Sequence, residues 1–142
     1  MNAILRWAGM ALFLAVSAFL IWFGATYASV NDMLWFHAAA VPEGAHEAVR
    51  TLYLALMKLI GGSSIALGVL GAYVALGPMR QGMRLAAPVL ALCFAIPFAT
   101  AALVAEQLAR DTGAPTSWHI MGVLLAVTAA ALVASLLAGR RN

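Results

Sequence analysis

Residues 7–27, WAGMALFLAVSAFLIWFGATY, decide the fold. No charged side chain occurs between Arg6 and Asp32, and a helix needs about 20 apolar residues to cross the hydrocarbon core of a bilayer. Working outward, the charges enclose three more such runs: Lys58 to Arg80, Arg84 to Glu106, and Asp111 to Arg140. The sequence therefore predicts an all-α chain, an integral membrane four-helix bundle forming a single domain over 1–142. The spans fall at about 6–28, 47–76, 84–106 and 116–138.

Composition leads to the same class. Hydrophobic residues make up 65% of the 142-residue chain and charged residues 9%, against about 45–50% and 25% in soluble domains. A soluble globule of this size buries only about two-thirds of its unfolded surface. It cannot hide this much apolar side chain, so lipid must solvate most of it. A soluble enzyme, a nucleic-acid-binding module and a disordered region are thereby excluded. The single cysteine, Cys93, cannot form an intrachain disulfide.

The first run also has features of a secretory signal: Arg6 ahead of it and Thr26-Tyr27-Ala28 as a cleavage site. Its apolar stretch exceeds the roughly 7–15 residues of a signal h-region, and it is read as a retained span. Orientation follows from the bases. Arg6, Arg80, Arg84, Arg140 and Arg141 flank one side with no acid among them, while Asp32, Glu43, Glu47, Glu106 and Asp111 lie on the other with Arg50, Lys58 and Arg110. Cytoplasmic loops carry the excess of Lys and Arg, so both termini are expected inside.

Turn chemistry delimits the helices. Gly77-Pro78 is expected to end the second, Gly113 and Pro115 to break the chain again, and Thr116 or Ser117 to cap the fourth. In the first outer loop, Asn31-Asp32 precedes Met33-Leu34-Trp35-Phe36, read as a short interfacial segment ended by Pro42. Pro97 predicts a kink in the third helix, freeing the carbonyl of Cys93, with Thr100 near enough to help satisfy the local backbone.

Small residues let helix backbones approach in a membrane. The first helix has Ala8, Ala11, Ala15, Ala18 and Ala25 on one stripe, interrupted by Trp22, and the second Gly61, Ser64, Gly68, Gly71 and Ala75. Ala87, Ala91, Ala95, Ala99 and Ala102 mark the third, and Gly122, Ala126, Ala129 and Ala130 the fourth. These faces are expected to turn inward, with large Leu, Phe and Val side chains turned to lipid.

Chemistry is sparse. The sequence has no C-x-x-C, no H-E-x-x-H and no glycine-rich phosphate loop, and no catalytic or metal-binding set is assigned. The absence of a mid-membrane acid argues against proton-coupled export. The candidate ligand site is a polar cluster at the outer mouth: Lys58, Glu106 and His119, with Arg50, His46 and His37 lining the same vestibule. Lys58 either snorkels to the boundary or pairs with Glu106 and His119. Such a cluster could hold an anionic headgroup, a quinone oxygen or a haem propionate. A zinc or copper site from His37, His46, His119 and an acid is a further alternative, although their spacing matches no ligand pattern. The cofactor, if any, stays unknown.

The layout of four spans, with a second helix passing from Arg50-Thr51-Leu52-Tyr53 through Lys58 to Gly61-Gly62, resembles the small bacterial inner-membrane proteins of the DoxX-like type. That resemblance implies a four-helix bundle in the bacterial cytoplasmic membrane, alongside oxidoreductase or oxidase systems. It assigns no catalytic residue. Two functions stand. One is a non-enzymatic accessory or assembly subunit of a larger membrane complex, in contact with lipid and with other subunits or further copies of itself. The alternative is a binder or enzyme for a lipid-like molecule (quinone, lipid or haem) at the outer mouth. No nucleic-acid partner is expected.

Overall fold

The computed structural model describes residues 2–139, so Arg140 and Arg141 lie outside the described residues. Helix α1 spans Asn2–Ala28 and α2 is one turn, Trp35–Ala38. A 3-10 turn at Glu43–Ala45 leads into α3, His46–Val74, which continues through a π turn at Ala75–Met79; α4 is Ala86–Thr112 and α5 His119–Gly139. No strand occurs among the described residues. Four helical segments are long and apolar enough to cross a membrane: Ala3–Ala28, His46–Met79, Ala86–Thr112 and His119–Gly139.

The ends differ from the predicted ones for local reasons. Gly77-Pro78 does not stop the second span but widens it. Pro78 has no N–H to continue the α ladder, and the chain adopts the wider π turn instead. The Met83 N–H then donates to the Pro78 carbonyl at 3.0 Å and the Gln81 N–H to Gly77 at 3.0 Å. Gly82, at φ 79°, completes the reversal. At the other end α4 carries Arg110 and Asp111 within its last turns and stops at Gly113, φ 71°, whose N–H bonds the Ala109 carbonyl. Backbone handedness, not charge, ends this helix. Ser117 caps α5 by accepting from the His119 N–H at 3.2 Å, and Thr116 Oγ1 ties the loop to the Ala105 carbonyl at 2.7 Å. Helix α4 runs on through Pro97, with Thr100 Oγ1 donating to the Ile96 carbonyl at 2.9 Å.

Helix α1 packs on both α3 and α5, and α5 packs on α4, while α3 and α4 touch little. The core is aromatic at its centre. Phe13 and Phe94 are fully buried with ring centroids 6.2 Å apart, and Met10, Val16, Leu20, Leu90, Phe98 and Leu124 surround them. Gly71 makes room for this pair: a Cβ there would collide with the Phe94 ring and with Ser17 Oγ. The buried polar side chains Ser17 and Thr128 donate to the carbonyls of Phe13 (2.9 Å) and Leu124 (2.8 Å), so neither is left unpaired.

The small-residue stripes divide. On α3, Gly61, Gly68, Gly71 and Ala75 are buried and Ser64 half-buried; on α4, Ala87 and Ala91 are buried and Ala95, Ala99 and Ala102 half-buried. The stripes of α1 and α5 are overturned as packing faces. Ala8, Ala11, Ala15, Ala18 and Ala25 are all exposed, as are Ala126, Ala129 and Ala130. Helix α1 instead buries the opposite face: Gly9, Met10, Phe13, Val16, Ser17, Leu20 and Gly24. The expectation that large side chains turn outward fails for Phe13, Phe94 and Phe98. Two glycines and a serine bring the α1 backbone close, and large rings fill the space between contacts.

Candidate functional site

The polar residues gather at the end where α1 finishes and α5 begins, with the 29–45 and 113–118 connections. Asp32 is set by its own backbone: its Oδ1 accepts from the Met33 N–H at 2.8 Å and from Arg50 Nε at 3.1 Å. The Met33 N–H first, and Arg50 second, hold its carboxyl below the ordinary range. Arg50 also donates to the Asn31 carbonyl at 2.9 Å, stapling the loop to α3. One turn of α3 further on, Tyr53 accepts from the Leu34 N–H at 3.2 Å and bonds His37 Nδ1 at 2.9 Å. Burial pushes the His37 pKa below its ordinary value, so the ring is neutral near pH 7, and its Nδ1 and the Tyr53 hydroxyl share one hydrogen bond. His46 Nε2 donates to the Val41 carbonyl at 2.9 Å.

Arg50 and His46 therefore do come together. With Asp32, Met33, Ala38 and Glu47 they line an open cleft of about 370 Å³. Of the other four sequence candidates, His37 joins Tyr53, and Lys58, Glu106 and His119 make no hydrogen bond or ion pair with one another among the described residues. Glu106 pairs along its own helix with Arg110, at 3.4 Å. His119 bonds Ser117 and stacks on Trp118 at 4.6 Å. Lys58 is exposed and makes no hydrogen bond or ion pair among the described residues. A rise of 1.5 Å per residue puts it about 31 Å from Met79, near the full thickness of a hydrocarbon core, where an upright helix lets its ammonium reach water. Among the described residues no three His, Cys, Asp or Glu side chains converge as metal ligands. His37, His46 and His119 are thus not gathered as a zinc or copper site would need, and each has a local hydrogen-bond partner.

Tyr53 and Asp32 were not among the sequence candidates, although they hold the loop in place. Arg50, three residues before Tyr53, was their available signal, because one helical turn puts both on the same side of α3. Gly24 was likewise missed. A Cβ on Gly24 would lie 2.5 Å from the Gly61 carbonyl, and one on Gly61 would lie 2.6 Å from the Gly24 carbonyl. The α1–α3 crossing is therefore built on a reciprocal glycine contact.

With this geometry, the cleft can order the loop and offer mixed charge to water, but it encloses no buried reactive group: no buried side-chain polar atom lacks a partner among the described residues. No family model, curated protein or solved structure matches the chain.

Proposed function

We propose that the chain is a multi-pass protein of the bacterial cytoplasmic membrane, an N-in/C-in four-helix bundle acting as a non-enzymatic accessory or assembly subunit of a larger membrane complex, in the manner of DoxX-like proteins. Orientation is supported by the clustering of Arg6, Arg80 and Arg84 at one end. One observation carries the role: the alanine stripe of α1 is left uncovered. Ala8, Ala11, Ala15 and Ala18 form a shallow exposed face between Trp7 and Trp22, which are themselves exposed, and Ala25 lies beyond Trp22. In lipid such a face permits close approach by another helix, and contact of that kind, not burial from water, drives helix association there.

The glycine stripe of α3 does not serve this purpose, since Gly61 and Gly68 already meet α1 of the same chain. The assembly test therefore belongs on α1. Ala15→Leu should leave the monomer folded and remove co-purifying subunits or copies, read by gentle detergent extraction and native mass spectrometry. Lys58→Ala, Glu106→Ala and His119→Ala should leave assembly unchanged. The opposite pattern, with assembly insensitive to Ala15→Leu and a bound small molecule lost in the polar variants, would replace this reading by a lipid-like ligand at the outer mouth.

A further inference from the structure

The end at which α1 begins and α5 finishes holds a second, larger cleft, of about 490 Å³. Its walls come from α1 (Arg6, Met10), α4 (Ala87), α5 (Ala138), Met79 and the following turn (Arg84). The floor is apolar and belongs to the core: Met10 is 2% exposed, and Met79, Ala87 and Ala138 are each 8% exposed. The rim is cationic. Arg6 and Arg84 are exposed and make no ion pair among the described residues. All five acidic residues lie at the other end of the molecule. There Arg50 and Arg110 each have a carboxylate; here neither arginine does.

Helix α4 adds to the same field. It begins at Ala86 with no side-chain cap and no acid in its first turn, and Ala87 of that turn lines the cleft. In that turn the Ala86 N–H bonds the Met83 carbonyl and Pro88 carries no N–H, so it is the Ala87 N–H that adds a donor beside the two guanidiniums. Methionine side chains adapt to flexible apolar ligands, and guanidinium forks match phosphate oxygens.

We propose that this cleft binds an anionic phospholipid, its phosphate held by Arg6 and Arg84 and the first carbons of its chains resting on Met10 and Met79. The site rests on the membrane reading above and is separate from the outer polar cleft. Basic pockets between helices on the cytoplasmic side take such headgroups by the same chemistry.

The test uses the full chain in mild detergent, with native mass spectrometry reading retention of short-chain phosphatidylglycerol, phosphatidylcholine or inorganic phosphate. Wild type should retain phosphatidylglycerol about tenfold better than phosphatidylcholine. The exposed pair Arg6→Gln/Arg84→Gln should lose about that tenfold preference. Lys58→Gln/Arg110→Gln, which removes the same charge at the other end, should stay within about twofold of wild type. Equal loss in both doubles would show a net-charge effect and overturn the site, as would equal retention of the two lipids. Inorganic phosphate held as well as the lipid would make this a free-anion site and overturn the assignment to phospholipid. Alkaline carbonate extraction separates the two levels of failure. A chain released from membranes sinks the membrane reading and the site together, whereas an embedded chain without lipid preference sinks the site alone.

Discussion

The alanine stripe of α1 and the glycine stripe of α3 begin with the same steps of three, four and three residues (Trp22 then interrupts the first), and the fold gives them opposite fates. The glycines of the α3 stripe are buried, Gly61 and Gly68 against α1, and the alanines of the α1 stripe are all exposed. The missing Cβ distinguishes them. A Cβ on Gly68 would sit 2.7 Å from the Ser17 carbonyl, and one on Gly61 2.5 Å from the Ala28 nitrogen. Alanine cannot occupy such positions without moving the backbone, so the α1 face that meets α3 uses Gly24 and Ser17. Smallness permits packing, but contact this close requires glycine.

Four perturbations break or sharpen that comparison. The largest effect is expected from Gly61→Leu, which drives a branched side chain into the α1 backbone. Unfolding in detergent should show a loss of about 3 kcal/mol. Ala15→Leu, on the matching stripe of α1, should change stability by no more than about 0.5 kcal/mol while assembly is lost. Equal destabilisation by the two variants would erase the distinction between the stripes.

Smaller effects are expected where the glycine-packed helices hand over to the loop. Tyr53→Phe removes the hydroxyl that holds both Leu34 and His37 and should cost about 1 kcal/mol. Faster amide exchange should follow at Leu34, with the α1–α3 crossing unaffected. The smallest effect is a pH dependence of the same loop. Because burial lowers the His37 pKa from 6.5, the folded state disfavours the imidazolium. This contribution to stability is complete above pH 6.5 and is lost as the pH falls through the lowered folded value. Trp35 fluorescence between pH 7.5 and 5 should follow this change, and His37→Gln should flatten it.

Much of the helical frame was legible because the charges punctuate it. Arg6, Asp32, Lys58, Arg80, Arg84, Glu106 and Asp111 bracket apolar runs of spanning length, and water-seeking side chains are costly to place inside such runs. Helix ends were less legible. Gly113 stopped α4 as a left-handed residue should, but Gly77-Pro78 was absorbed into a π turn because the backbone had a wider alternative to stopping. The candidate site was legible in part. Arg50 and His46 line one cleft with Asp32 and Glu47, whereas Glu106 and His119 bond within their own segments and Lys58 has no hydrogen bond or ion pair among the described residues. Helical periodicity gives the side of one helix on which a residue lies, but it does not give the neighbour that this side meets.

The sequence alone determined the four apolar helices, the segregation of unaccompanied arginines from acids, and the spacing of small residues along each helix. These follow from solvation and helical period, which are properties of single segments. Only the tertiary structure decided that α1 lies between α3 and α5, that its glycines and not its alanines make the crossing, and that Arg6 and Arg84 line one cleft with an apolar floor. Those outcomes depend on which backbones can approach one another, and a missing Cβ acts only once a second helix occupies the space it leaves.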